Sequence, residues 1–158
     1  MNEMTSSAII SKDGLYRYSL ERAWDKSKPT VLFVCLNPSV ADDKIDDRTV
    51  NKMIFFAKKF GYGRLLVGNL FAFRTTDPSE LFKQQEPIGS ENDSYLEKMM
   101  EEADLIIAAW GDNGGWLDRS YQFKEKYKNK EIKCLGKTKA NQPRHPSRIS
   151  YKRELEDL

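Results

Sequence analysis

VLFVCLNPSVADD, residues 31–43, decides the fold. Its first six residues are apolar and lack the alternation of a half-exposed strand, which predicts a strand covered on both faces. A polar turn, Asn37-Pro38-Ser39, follows directly. The stretch therefore places polar groups where a buried strand ends, and this is where α/β folds bind ligands.

The same pattern recurs along the chain. Apolar runs that predict strands alternate with amphipathic or polar segments that predict helices, and this alternation is typical of an α/β fold. We expect a three-layer sandwich around a central four-stranded, mostly parallel sheet. The predicted strands are VLFVCL (31–36), LLVGNLF (65–71), DLIIAAW (104–110) and IKCLG (132–136), and the predicted helices cover 47–60, 91–102 and 116–128.

An N-terminal hairpin is predicted in addition. The strand-like runs AIIS (8–11) and LYRYSL (15–20) are separated by Lys12-Asp13-Gly14, and Asp-Gly between two such runs is a hairpin signal. A length of 158 residues predicts a single domain over 1–158. No apolar run approaches the roughly 20 residues that span a bilayer, and the first residues do not resemble a signal peptide, so we expect a cytoplasmic protein with no membrane partner.

The cysteines indicate the redox state of the chain, and the charge distribution indicates which partners it could bind. Cys35 and Cys134 lie in apolar runs without a CxxC spacing, which predicts buried, reduced thiols. Residues 119–158 carry 12 basic and 5 acidic side chains. Such a segment could follow a phosphate backbone, which favours a nucleic acid or a nucleotide as partner, or it could be a solvated lysine-rich helix.

Polar and aromatic residues collect after the predicted strands. If the strands are parallel, these residues meet at one edge of the sheet and form a pocket. Each has a plain structural alternative: an Asn-Pro-Ser turn is often only a turn or cap, an aromatic pair is often core, and a lone histidine is often structural. The candidates are Asn37, Asn69, Phe71, Phe73, Arg74, Trp110, Gly111, His145, Ser147 and Arg148.

Several of these motifs together resemble a known family. YRYSLERAW, LFVCLNPSVAD, FAKKFGYGRLLVGNLFAFRTTDP, AAWGDNG and PRHPSRIS occur in the order found in the bacterial and phage family catalogued as domain of unknown function 1643. The resemblance covers nearly the whole chain. It implies no activity by itself.

A more distant resemblance, to the uracil-DNA glycosylase superfamily, implies both a fold and a chemistry. LNPS is similar to the Asn-Pro turn of the mismatch-specific enzymes, VGNLF to the strand end that binds the base, and HPSRIS to the closing His-Pro-Ser loop. The resemblance implies that Asn37 orients water, that Asn69 binds a pyrimidine edge and that His145 bonds the departing base oxygen. Arg148 would face a phosphate.

The chemistry of these residue types agrees with those roles in part. A donor aimed at the base oxygen stabilises the negative charge that develops on a leaving base, and His145 can be that donor. Asn37 can orient water but cannot act as a base, so Asp42, Asp43 or Asp47 would have to supply a carboxylate. Arg74 beside Asp77 either indicates a more polar ligand than uracil or belongs to a helix start at Asp77-Pro78.

Three functions remain open at this point. The first is hydrolysis of the N-glycosidic bond of a base, in DNA or in a nucleotide, by a glycosylase-like enzyme. The second is a nucleotide- or DNA-binding module without catalysis, and the third is a phage protein that engages a host protein. We expect no cofactor and no metal, because the carboxylates at 42–47 follow no calcium-loop spacing and no Walker or dinucleotide-binding glycine pattern is present.

Overall fold

The computed structural model describes residues 3–158, which form one mixed sheet with helices on both faces. The strand order is β1-β2-β4-β3-β5-β6-β7. The strands are β1 (Thr5–Ile10), β2 (Arg17–Ala23), β3 (Thr30–Cys35), β4 (Arg64–Asn69), β5 (Leu105–Ala109), β6 (Ile132–Cys134) and β7 (Glu156–Asp157). The α-helices are α1 (Arg48–Lys59), α2 (Pro78–Leu81), α3 (Asn92–Glu102) and α4 (Arg119–Lys126).

The four strands predicted from the apolar runs are the parallel part of this sheet. β4, β3, β5 and β6 are neighbours and run parallel, and every residue of β3 is buried. Two apolar clusters cover the two faces, one with α1 and the other with α3 and α4. The central position of β3 explains why its sequence shows no polar alternation.

The sheet has seven strands rather than the predicted four. The hairpin is not a separate addition, because β2 pairs antiparallel with β4 and so extends the sheet. At the other edge the two-residue β7 pairs antiparallel with β6. A strand this short leaves no periodicity in the sequence by which it could be predicted.

The helix α1 confirms the prediction for 47–60. The carboxylate of Asp47 caps its first turn, since Oδ1 accepts a hydrogen bond from Val50 N–H at 2.8 Å. Beyond its end, Gly61 has φ +88°, a conformation that glycine adopts without strain. The helix at 116–128 is shorter than predicted, because Leu117 and Asp118 have positive φ and α4 begins only at Arg119.

Cys35 and Cys134 are both buried and free. Within residues 3–158 no helix combines the length and the apolar character that crossing a bilayer requires.

Candidate functional site

A cavity of about 740 Å³ opens where β3, β4 and β5 end. The turn at 37–39 forms one part of its wall, and the loop that contains the only histidine forms another. Of the predicted site residues, six reach the cavity wall together with Asn37: Asn69, Trp110, Gly111, His145, Ser147 and Arg148. Two turns a hundred residues apart in sequence therefore share one cavity.

The amide of Asn69 is the most unusual group on this wall. The residue is 1% exposed, and neither Oδ1 nor Nδ2 has a hydrogen-bond partner among residues 3–158. Leaving a buried amide unpaired costs about 1–3 kcal/mol for each unsatisfied group. Asn69 is also one of the residues that line the cavity, so this unpaired donor and acceptor belong to a residue that borders the space open to a ligand.

The backbone around Asn69 is held from three sides. Asn92, at the start of α3, donates through Nδ2 to the carbonyl of Asn69 at 2.9 Å. Arg119, at the start of α4, donates to the carbonyl of Leu70 at 2.6 Å, and Leu70 N–H donates to the carbonyl of Cys35 at 2.9 Å. These bonds fix the backbone of the strand end from which the unpaired side chain of Asn69 extends.

His145 is half-buried and has a defined tautomer. Its Nδ1 accepts a hydrogen bond from Ser147 N–H at 3.2 Å, which places the proton of the neutral ring on Nε2. Ser147 Oγ also lies 2.8 Å from Nδ1. Burial lowers the pKa of His145, and the nearby Arg148 cation lowers it further. The ring is therefore a neutral Nε2–H donor beside the cavity.

The end of β5 holds the histidine loop in place. Gly111, with φ +72°, donates its N–H to the carbonyl of Pro143 at 2.8 Å, and a Cβ at this position would lie 3.6 Å from the Cβ of His145. Trp110 is buried and donates through Nε1 to the side chain of Gln142 at 2.9 Å. The Trp-Gly pair thus positions the loop in addition to lining the cavity.

The amide nitrogen of Asn37 is hydrogen-bonded to backbone carbonyls of the protein. Nδ2 donates to the carbonyls of Thr75 at 2.9 Å, Pro38 at 3.1 Å and Phe73 at 3.4 Å. The side chain therefore ties the turn after β3 to the segment after β4. Its Oδ1 is left as an acceptor, which suits a water molecule or a ligand donor.

Four predicted site residues do not reach the cavity. Phe71 is buried in the core against Trp116, and Phe73 packs against Tyr16 of the hairpin. The guanidinium of Arg74 donates to the carbonyls of Gly14, Ser39 and Val40, so it joins the hairpin to the loop after β3.

Asp42 is the fourth of these residues. Its Oδ1 accepts from the N–H groups of Lys44 and Ile45, both at 2.8 Å, and these bonds lower the pKa of Asp42. The carboxylate thus stabilises a turn. Asp77, the neighbour considered for Arg74, caps α2 by accepting from Ser79 N–H at 2.9 Å.

Two charged residues on the cavity wall, Asp47 and Arg17, differ from the charged groups expected there from the sequence. Asp47, one of the three carboxylates considered from the sequence, lines the cavity, whereas Asp42 does not. Arg17 also lines the cavity; it lies in β2, inside the family motif YRYSLERAW, but nothing in that motif indicated a role in the site. A bulge explains this: the β1–β2 register shifts between Ile9 and Ile10, so Arg17 leaves the strict alternation of its strand.

Comparison with known proteins places the chain in a family. The pattern of the family described as "Protein of unknown function (DUF1643)" matches residues 17–147. The chain belongs to this family. The matched range runs from Arg17 to Ser147, so it contains every cavity residue considered above except Arg148.

The other comparisons add little for this DUF1643 chain. No curated protein matches it. One solved structure, an α/β hydrolase from Novosphingobium aromaticivorans DSM 12444, is similar with 20% identity and a TM-score of 0.40, over 86% of this chain and 46% of that one. The chain thus spans less than half the length of that hydrolase, and at this TM-score the likeness carries no argument.

The cavity of the DUF1643 chain is not suited to thiol chemistry. Cys35 lines it, but burial raises the pKa of the thiol to about 12, and the nearby Arg17 cation compensates only in part. The thiolate that a nucleophile requires is therefore absent near neutral pH.

Three of the four carboxylates at 42–47 each have a structural role. Asp42 holds a turn, Asp46 forms an ion pair with Arg22 at 2.8 Å, and Asp47 caps α1. In the part of the chain that the structure describes, no group of three or more acidic, histidine or cysteine side chains is arranged to hold a metal ion.

Proposed function

We propose that this protein is a uracil-DNA glycosylase-like hydrolase that binds a pyrimidine-type base in the cavity and cleaves its N-glycosidic bond. The observation that carries the proposal is the buried, unpaired side-chain amide of Asn69, a residue whose backbone carbonyl is held by Asn92, on the wall of a cavity that His145 also lines. The motif resemblance of the LNPS, VGNLF and HPSRIS segments supports the same assignment.

Asn69 supplies base recognition. One amide offers a donor and an acceptor side by side, which matches the adjacent N–H and carbonyl of a pyrimidine edge. Both atoms lack a partner within residues 3–158, so a base with the complementary pattern satisfies two buried groups at once. An analogue without that pattern leaves them unpaired and is rejected.

His145 stabilises the leaving base. When the bond between C1′ and the base nitrogen breaks, its electron pair goes to the base, and negative charge develops on the base oxygen. The Nε2–H group of the neutral ring donates to that oxygen. The bond from Ser147 N–H to Nδ1 keeps the proton on Nε2.

Water attack requires a second pair of residues. Asn37 Oδ1 can accept a hydrogen bond from the water, but an amide cannot take its proton near neutral pH. Asp47 is a cavity carboxylate that can take it. The water oxygen bonds to C1′, its proton passes to Asp47, and the departing base leaves with the bonding pair and is then protonated.

A base-release assay tests the proposal. Oligonucleotides with uracil, hydroxymethyluracil or mismatched bases, and free pyrimidine nucleotides, are incubated with the protein, and released base is measured by mass spectrometry. We expect release by the wild type, a loss of about 10- to 100-fold in Asn69→Ala from about 1–3 kcal/mol of lost hydrogen bonding, and a loss of at least that size in Asp47→Asn. Asn51→Ala, an exposed position on α1, is the matched control and should be unchanged.

A second candidate is a binding module without catalysis. It is favoured by Asn37, whose amide nitrogen is fully used in bonds to backbone carbonyls and which replaces the carboxylate of the classical enzymes. Pyrimidine binding that Asn69→Ala abolishes, with no released base from any substrate, would establish this candidate. Hydrolysis would then be excluded.

A further inference from the structure

Three arginines of this chain have almost wholly buried side chains, and two of them form ion pairs. Arg22 Nε lies 2.8 Å from Asp46 Oδ1, and Arg119 Nη2 lies 2.8 Å from Asp93 Oδ1. Arg17 is 3% exposed and forms no ion pair within the described part of the chain. Buried charges in proteins are normally paired, so Arg17 is the exception that needs an explanation.

The hydrogen bonds of Arg17 leave part of the guanidinium unused. Nη1 donates to the carbonyl of Ala41 at 3.0 Å, while Nε has no acceptor among residues 3–158. Burial lowers the pKa of Arg17 to about 10, with Asp47 opposing the shift only in part. The residue lines the same cavity as Asn69. Its position therefore suits an anionic group that enters the cavity.

We propose that Arg17 binds the phosphate of a nucleoside 5′-monophosphate whose base is bound by Asn69, so that the substrate is a free nucleotide. This inference rests on the proposed function, because it uses the base site at Asn69. The two groups are neighbours in the fold: Arg17 N–H donates to the carbonyl of Ala72 at 3.0 Å, three residues beyond Asn69. A guanidinium fork matches phosphate oxygens better than an ammonium group does.

The burial of Arg17 favours a free nucleotide over a polymer. A phosphodiester inside a strand continues in both directions, so its binding groups line an open groove on the surface. Arg17 instead lies within the wall of a cavity, where a terminal phosphate can reach it. A cavity of about 740 Å³ falls in the range of roughly 300–1,000 Å³ that holds small ligands.

The loop after His145 also does not suit invasion of a duplex. Enzymes that extract a base from a duplex must unstack it, commonly with help from an inserted apolar side chain. The apolar residue of this loop, Ile149, is 4% exposed and packs in the core cluster that contains α1. Ser147, Arg148 and Ser150 are its exposed polar neighbours, and the exposed Tyr151 that follows packs edge-to-face on Phe55 of α1, with the ring centroids 4.7 Å apart.

Calorimetric titration separates the contributions of base and phosphate. The probes are dUMP, dCMP and dTMP, their three nucleosides, inorganic phosphate, and a single-stranded oligonucleotide with an internal uracil. The variants are Arg17→Gln, Arg17→Lys, Arg148→Gln at the exposed cavity rim, and Arg48→Gln on the exposed start of α1 as the matched control. The melting temperature of each variant without ligand reports whether it folds.

We expect one monophosphate to bind the wild type about 10- to 100-fold more tightly than its nucleoside, the size of a charge-assisted hydrogen bond. Arg17→Gln should remove this preference and leave nucleoside binding unchanged, Arg17→Lys should keep part of it, and Arg48→Gln should keep all of it. Equal binding of nucleotide and nucleoside by the wild type, loss of the preference in Arg148→Gln only, or tighter binding of the oligonucleotide would overturn the inference.

The outcomes also distinguish this inference from the proposed function. Nucleoside binding that depends on Asn69, without any preference for the phosphate, contradicts the role of Arg17 and leaves the base site intact. Binding of inorganic phosphate that Arg17→Gln abolishes, without any binding of a nucleoside or a nucleotide, contradicts the base site and with it the nucleotide. The comparison of ligands on the wild type gives an answer even if Arg17→Gln fails to fold.

Discussion

At the scale of single residues, the polar side chains in and around the cavity divide into those that already have hydrogen-bond partners and those that do not. Asn37, Asp42 and Arg74 have the residue types expected of a site, yet their hydrogen bonds go largely to the protein backbone. Asn69 and Arg17 are more deeply buried and keep unpaired atoms. Because an unpaired buried group costs free energy, it is the better sign of a ligand.

The titration of His145 is predicted at this scale. Burial and the Arg148 cation lower its pKa, so the ring should titrate below 6.5, the value of an unperturbed histidine. Since the folded state has the lower pKa, the contribution to stability is complete above pH 6.5 and is lost as the pH falls through the folded value. As the chain has one histidine, its NMR signals give the midpoint directly.

A matched variant separates the two causes of that shift. Arg148→Gln removes the neighbouring cation and should move the midpoint of His145 upward, while burial keeps it below 6.5. Arg48→Gln should leave it unchanged. A wild-type midpoint above 6.5 would contradict the neutral Nε2–H donor assigned to this ring.

The sequence motifs identified some of the cavity residues and missed others. The motif comparison brought Asn37, Asn69 and His145 forward, and all three line one cavity. It put Asp42 forward as the catalytic carboxylate, with Asp43 and Asp47 as alternatives, whereas Asp47 is the one that lines the cavity, because the loop conformation that turns a carboxylate inward leaves no pattern in the sequence. It also missed Arg17, since a bulge in the β1–β2 pairing breaks the period-two pattern on which strand faces are predicted.

At the scale of elements, two helix starts brace the strand end that carries Asn69. Asn92 at the start of α3 and Arg119 at the start of α4 both donate to backbone carbonyls of the 69–70 segment. The positions of these helices on one face of the sheet therefore hold the backbone of the strand end that carries Asn69. The sequence predicted both helices, although their contacts with this turn leave no signal in periodicity.

Asn92→Ala tests this bracing. The substitution leaves the buried carbonyl of Asn69 without the donor that it has now, so the free energy of unfolding should fall by about 1–3 kcal/mol. Urea denaturation measures the change, with the exposed Asn51→Ala as the control, which should stay within about 0.5 kcal/mol of the wild type. An Asn92→Ala variant as stable as the control would mean that Asn92 does not hold the strand end.

At the scale of the whole molecule, the sheet brings distant segments to one place. The parallel strands β4, β3 and β5 were predictable, because buried runs and intervening helices mark them clearly. The full seven-stranded sheet could not be predicted. The strand β7 is only two residues long, and the pairing of β2 with β4 depends on tertiary packing. That choice has a functional consequence, because it brings Arg17 of β2 to the cavity beside β3 and β4.

A crystal structure of the protein soaked with a pyrimidine nucleotide tests the central claim most directly. We predict that the base lies in the cavity, with its N–H and carbonyl edge about 2.7–3.2 Å from Oδ1 and Nδ2 of Asn69, and that its carbonyl faces Nε2 of His145. A nucleotide bound elsewhere, or a base in the cavity that leaves the Asn69 amide unpaired, would contradict the account.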